Sequence, residues 1–158
     1  MDLDKFFFHQ EQLNKQLLID KSLNNYKVTA RKHLALQVRL SELANETKCF
    51  VYWNQNDIKI SKQIVLEKYI ECLSHILTIG IDKNYNLCYS IKIKPNDYCL
   101  SDQFLNLLID INDLIISPSV DHYNTLFEDF LSLGITLGFS TNKLEEIFFS
   151  KDLCKIAL

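Results

Sequence analysis

Apolar residues in this chain of 158 residues recur every three or four positions over long stretches, which places them on one face of an α-helix. In the first stretch, Phe6, Leu13 and Leu17 share such a face. Polar breaks separate the stretches, and Ser61 is suited to be the N-cap of the third helix. The pattern predicts six helices, at residues 3–23, 29–47, 61–81, 101–116, 120–137 and 142–151.

One segment departs from the helical pattern. Residues 87–94, LCYSIKIK, partly alternate between polar and apolar and are followed by Pro95. Alternation with period two is typical of extended chain. The segment is therefore either a short strand or an extended excursion between two helices.

Composition agrees with a helical protein. The chain contains only 3 Gly and 2 Pro, which favours long uninterrupted helices over a turn-rich β fold. Hydrophobic residues make up 47% of the chain, enough for a substantial core. We expect one all-α domain, a bundle of about six helices, over residues 1–158.

Charge and cysteine usage exclude several classes of protein. The formal net charge is −3, and no basic face indicates binding to nucleic acid. No apolar run reaches the length needed to span a bilayer, and the acidic N-terminus is not typical of a signal peptide. The five cysteines form no Cys-x-x-Cys pair, so neither a zinc site nor a disulfide framework is predicted. We expect a cytoplasmic protein with reduced thiols.

Acidic residues mark the candidate chemistry. Glu42 and Glu46 lie one turn apart on the second predicted helix, and Glu71 lies on the third. Two such helices side by side gather carboxylates at one place, the arrangement that Mg²⁺ prefers. However, Arg39 and Lys68 lie one turn before Glu42 and Glu71, so a metal site and a set of salt bridges are both open.

Four segments resemble the dimeric dUTPases of bacteria, which belong to the all-α nucleoside triphosphate pyrophosphohydrolase (MazG-like) superfamily. Residues 34–53, LALQVRLSELANETKCFVYW, resemble the first metal-binding motif of that family, and residues 66–81, LEKYIECLSHILTIGI, resemble the second. FFFHQEQLNKQL near the N-terminus is similar to the first helix of the family, and residues 123–152 are similar to its C-terminal helical pair. The resemblance implies a dimeric all-α fold that cleaves dUTP to dUMP and pyrophosphate with Mg²⁺.

The chain departs from the family at the metal ligands. Arg39 and Lys68 stand where the family has glutamates, while Glu42 and Glu71 remain as candidate metal ligands, with Glu46 beside them as a third candidate catalytic residue. A basic and amide-rich tail follows a Lys-Asn pair in the family, whereas LCKIAL follows Lys151-Asp152 here. Two cations in place of two carboxylates predict a collapse of Mg²⁺ affinity.

By resemblance, further residues contact the nucleotide. Gln10 and Asn14 match positions that read the uracil edge, Phe50 and Trp53 match aromatics near the base, and Lys151 matches a phosphate-binding position. The competing interpretations are solvated helix positions for the two amides and core packing for the two aromatic rings.

These observations predict a dUTPase homologue with weak or lost hydrolysis that still binds a uridine nucleotide or a protein partner. The alternatives are an active Mg²⁺-dependent dUTP or dUDP pyrophosphohydrolase with a rearranged site, and a helical interaction module without a ligand. A homodimer is predicted because residues 104–116 and 127–139 carry more apolar surface than a small monomeric bundle covers.

Overall fold

The structure is a computed structural model that describes residues 1–151. Over these residues the chain forms helices and a short 3₁₀ turn, Tyr85–Leu87, with no β-strand. The all-α prediction is therefore confirmed for the described part of the chain. The helices are α1 (Leu3–Gln16), α2 (Asn25–Thr47), α3 (Lys62–Asp82), α4 (Leu100–Ile116), α5 (Val120–Thr136) and α6 (Thr141–Phe149).

Side-chain caps fix where most of the helices begin. Ser61 accepts a hydrogen bond from the backbone of Ile64, as its place before the third apolar stretch predicts. At the other end of the preceding loop, Lys48 adopts a left-handed conformation that ends α2. Caps of the same kind precede α1, α2, α5 and α6 at Asp2, Asn24, Ser119 and Ser140.

Helix α3 is the centre of the bundle. Most of its residues are buried, including Tyr69, Ile70, Leu73 and Leu77. It runs antiparallel to α2. Successive residues of α2 contact residues of α3 whose numbers decrease. The cross-helix pairs that show this are Lys32 with Asp82, Arg39 with Glu71, and Glu42 with Lys68.

Two glycines bring α3 and α5 close together. The hydroxyl of Tyr123 in α5 donates to the Ile76 carbonyl at 3.0 Å and lies against Gly80, where an added Cβ would be 2.2 Å away. The same arrangement recurs in reverse, with Tyr69 of α3 against Gly134 of α5. Each tyrosine therefore depends on a glycine of the opposite helix for its space.

Helix α1 is shorter than the predicted 3–23. It ends at Gln16, and Leu17 has an extended backbone with ψ of 124°. Leu17, Leu18 and Ile19 are exposed, so a longer helix would bury no further apolar surface against a neighbouring helix. Propensity alone does not hold a helix that buries nothing.

The segment 88–98 is an extended excursion along α5. Two residues of extended chain advance about 6.6 Å and four residues of helix about 6.0 Å, so alternate residues of the segment match every fourth residue of α5. Tyr89 and Ile91 point to the core, which accounts for the alternation in the sequence. The hydrogen-bonded pairs are Ser90 with Asn124 (3.3 Å), Lys92 with Glu128 (2.7 Å) and Lys94 with Ser132.

A candidate nucleotide site on helix α3

A line of polar side chains crosses the otherwise apolar helix α3. Lys68, Glu71, His75 and Thr78 follow one another at intervals of three, four and three residues, which places them on one face. Helices α1 and α2 pack on either side of this polar line. The polar line therefore lies between two flanking helices, and we call the strip that it forms along α3 the groove.

At one end of the line, four charged groups form a closed ring. Arg39 Nη1 lies 2.8 Å from Glu42 Oε2 and 3.6 Å from Glu71 Oε2. Lys68 Nζ lies 3.4 Å from Glu42 Oε2 and 3.2 Å from Glu71 Oε2. Each carboxylate thus faces both cations, across two helices.

We call this set of Arg39, Glu42, Lys68 and Glu71 the ion ring. The pKa shifts within it favour the charged forms of its side chains. The hydrogen bond from Arg39 lowers the pKa of Glu42 and is matched by a raised pKa of Arg39. Burial alone lowers the pKa of Lys68, but its hydrogen bonds and charge interactions with Glu71 and Glu42 outweigh burial and raise it. Arg39, Glu42 and Lys68 therefore stay ionised at neutral pH.

The Mg²⁺ that the family resemblance implies does not fit this set of groups. The Oε2 atoms of Glu42 and Glu71 are both engaged by Arg39 and Lys68. Within residues 1–151, no group of three or more His, Cys, Asp or Glu side chains is arranged to hold a metal ion. The Lys68 ammonium and the Arg39 guanidinium lie between the two carboxylates, in the space where a divalent ion would need oxygen ligands.

Glu46 does not join the ion ring. Among the described residues Glu46 makes no ion pair with Arg39 or Lys68. It lines an open cleft of about 720 Å³ on the outer side of α2, which Glu42 and Lys68 also border. Its role as a third catalytic carboxylate stays a prediction.

At the other end of the polar line, amide side chains from α1 meet α3. Gln10 donates to Asn14 Oδ1 at 2.9 Å, and Thr78 donates to the same oxygen at 3.1 Å. Gln10 is only 2% exposed, yet its Oε1 atom has no hydrogen-bond partner. A buried acceptor without a partner is costly, so this atom is suited to accept a hydrogen bond from a bound group.

The amides and the ion ring lie a nucleoside's length apart. Thr78 follows Glu71 by seven residues on the same face, which corresponds to about 10 Å along the helix axis. The groove therefore presents hydrogen-bonding amides at one end and fixed charges at the other.

Lys151 and His75 complete the groove. Lys151 follows α6, whose Phe148 packs on Phe6 of α1 with ring centroids 4.6 Å apart. The Nζ atom of Lys151 is buried without a hydrogen-bond partner, and burial lowers its pKa to about 8. Burial, followed by the charges of Arg39 and Lys151, lowers the pKa of His75 to about 4, so its imidazole is neutral.

The sequence analysis did not single out His75, which the structure places in this groove. The signal was its position four residues after Glu71 and three before Thr78, which puts it on the polar face of α3.

Phe50 and Trp53 lie elsewhere in the single chain. Their rings contact each other, with centroids 6.3 Å apart, and both are about half exposed. Phe50 borders a shallow cavity with Leu40 of α2 and Phe104 of α4. These aromatics follow the C-terminus of α2, which packs antiparallel to α3. They therefore lie near the N-terminal end of α3, far from Thr78 and the amides of Gln10 and Asn14 that lie beside it. The structure does not bring them to Gln10 and Asn14.

Comparison with known proteins identifies the family. A dUTPase family model matches residues 2–155, nearly the whole chain. A search of curated proteins and a search of solved structures gave no match. No helix among the described residues is both long and apolar enough to cross a membrane. The all-helical architecture agrees with this match, and the chain therefore belongs to the all-helical dimeric dUTPase family.

Proposed function

We propose that this protein binds a uridine nucleotide in the groove along α3 and hydrolyses dUTP weakly or not at all. The observation that carries the proposal is the ion ring, in which Arg39 and Lys68 neutralise Glu42 and Glu71. Family membership supports the nucleotide, and the ring supports the loss of turnover.

Electrostatics explain why the ring opposes hydrolysis. At about 5 Å and an effective dielectric constant of about 20, a divalent ion and a fixed unit cation repel by roughly 7 kcal/mol. A metal would also have to replace the hydrogen bonds that the carboxylates receive from Arg39 and Lys68. Charge neutralisation of the phosphates by clustered divalent ions is therefore disfavoured in this protein.

The amide end of the groove supports uracil as the base. Uracil offers an N3–H donor flanked by two carbonyl acceptors. The unpaired Oε1 of Gln10 suits the N3–H group, and the side-chain nitrogen of Asn14, which donates no hydrogen bond within residues 1–151, suits a carbonyl. A cytosine lacks the N3–H donor, so the same pair of groups discriminates against it.

A homodimer is part of the proposal. Helices α2 and α4 pack against each other, and both expose apolar side chains: Leu34 and Val38 on α2, and Leu105 and Ile109 on α4, each about half exposed or more. Exposed apolar side chains grouped on neighbouring helices are typical of a subunit interface. The expected contribution of residues 127–139 is wrong for the most part, because α5 buries its large apolar side chains within its own chain. The same α2–α4 face is where a protein partner would bind if the chain is an interaction module.

Turnover of dUTP tests the proposal directly. Pyrophosphate release is measured with purified protein, excess dUTP and millimolar Mg²⁺, beside an active dUTPase of the family. We expect release near the uncatalysed background. Sustained release with many turnovers per protein molecule would contradict the proposal and favour a rearranged Mg²⁺ site.

A further inference from the structure

A small cavity lies where the ends of three helices meet. It has a volume of about 170 Å³ and lies between the beginning of α2 and the ends of α3 and α4. The antiparallel packing of α2 on α3 brings these ends together, as the ion pair of Lys32 with Asp82 shows. The residues that line the cavity include Ala30, His33, Ile79, Lys83, Tyr85 and Leu114.

The cavity is separate from the groove that carries the polar line of α3. Ile79 follows Thr78 directly and is therefore turned about 100° around the helix. Thr78 meets Asn14 of α1, whereas Ile79 faces the cavity between α2 and α4. Lys83 also lies about 18 Å beyond Glu71 along the axis of α3. The cavity and the groove can therefore be occupied at the same time.

The wall of the cavity carries a cation and no carboxylate. Within residues 1–151 the ammonium of Lys83 makes no hydrogen bond or ion pair, while its neighbour Asp82 is paired with Lys32. Burial lowers the pKa of His33, a hydrogen bond with the Thr29 backbone opposes this, and the charge of Lys83 lowers it further. The imidazole is therefore neutral at pH 7, and the ammonium lies near it. The cavity is suited to an anion.

The size and the remaining walls of the cavity favour an aromatic body. Ile79 and Leu114 are buried, and the ring of Tyr85 is held by contact with Tyr123, with ring centroids 5.2 Å apart. An apolar cavity of about 150 Å³ accommodates a molecule of the size of benzene. Sites for drug-sized ligands measure roughly 300 Å³ or more, so a nucleotide is too large for this cavity.

We propose that this cavity binds a small aromatic carboxylate of about the size of benzoate, with its ring on the apolar wall and its carboxylate at Lys83. The ring gains from burial of apolar surface, and the carboxylate gains a charge-assisted hydrogen bond from the ammonium. The proposal is independent of the proposed function, since no residue of the polar line or of the ion ring lines the cavity.

Calorimetric titration of the full chain tests the ligand class with benzoate, benzamide and acetate. Benzamide keeps the ring without the charge, and acetate keeps the charge without the ring. We expect benzoate to bind at one site per chain, at least about tenfold more tightly than either of the others. An excess of dUMP should leave benzoate binding unchanged. Failure of benzoate to bind, equal affinity for benzamide or acetate, or displacement of benzoate by dUMP would overturn this proposal, and none of these results bears on dUTP turnover.

Three variants locate the site. Lys83→Met removes the ammonium and should weaken benzoate binding about tenfold while leaving benzamide binding unchanged. Ala30→Leu extends a side chain into the cavity and should abolish the binding of both probes. Lys27→Met removes an exposed cation of α2 that does not line the cavity, and it should bind benzoate as the parent does. Thermal melting verifies folding. Benzoate binding that survives in folded Ala30→Leu, or that Lys83→Met and Lys27→Met affect equally, would overturn the assignment.

Discussion

Lys68 Nζ lies 3.4 Å from Glu42 on the neighbouring helix, so a cation of α3 reaches a carboxylate of α2. Arg39 approaches Glu71 from the opposite direction, 3.6 Å away. The two helices are thus joined by protein charges at the place where the family resemblance predicts a metal. Partial exposure of these groups means that their contribution to stability is modest and screened by salt, so the arrangement matters chiefly for what the site excludes.

Gln10 is predicted to contribute more to ligand binding than to the stability of the fold. Gln10→Met should weaken binding of deoxyuridine and dUMP about tenfold or more, because the acceptor for the N3–H group is lost. The melting temperature should change little, since the loss of the hydrogen bond to Asn14 is offset by the removal of a buried acceptor that has no partner. Gln12→Met, on the same helix, is the control. A lowered melting temperature with unchanged binding would show that the amide is structural.

The exposed apolar side chains of α2 and α4 are predicted to hold two copies together. Ile109→Lys places a charge among these side chains and should convert the protein to a monomer without loss of helicity. Tyr98→Lys, at another exposed apolar site, should leave the assembly intact. Light scattering at micromolar concentration is the measurement, and a parent protein that is already monomeric would contradict the prediction.

Asp110 is predicted to make stability depend on pH. Burial, and then the neighbouring carboxylate of Asp129, raise its pKa from 3.8 to about 7, with a smaller opposing effect of His122. Asp113 also faces this pair. A carboxyl whose pKa is raised by folding stabilises the native state fully below its unfolded pKa, and that stability is lost as the pH rises through about 7.

The test compares unfolding free energies by urea titration between pH 4 and pH 8. Stability of the parent should decline across this range, and Asp110→Asn should flatten the decline, because the amide cannot ionise. Asp102→Asn, an exposed change in the same helix, should keep the parent slope. If unfolding free energy depends on pH with the same slope in the parent and in Asp110→Asn, Asp110 is not the source of the pH dependence.

Much of the fold could be predicted because its signals are local. The spacing of Arg39 to Glu42 and of Lys68 to Glu71 places each pair on one turn, and the structure has both pairs in contact. The end of α1 could not be predicted, since the apolar residues after Gln16 continue the pattern but meet no partner.

The other differences depend on tertiary packing. His75 lies in the groove because α1 packs against that side of α3. The spacing of residues along α3 does not indicate which of its sides α1 covers. Phe50 and Trp53 resemble aromatic residues of the family in sequence, yet they lie at the far end of α3 from Gln10 and Asn14 within one chain.

The most direct test of the ion ring is the affinity for Mg²⁺ itself, measured by calorimetry for the parent and for the double variant Arg39→Glu with Lys68→Glu. The account predicts no detectable binding to the parent at millimolar Mg²⁺, and measurable binding to the double variant, in which four carboxylates replace the ring. It predicts further that Mg²⁺ raises the melting temperature of the double variant alone. Saturable binding of Mg²⁺ to the parent protein, lost on Glu42→Gln or Glu71→Gln, would contradict the claim that protein cations have taken the place of the metal.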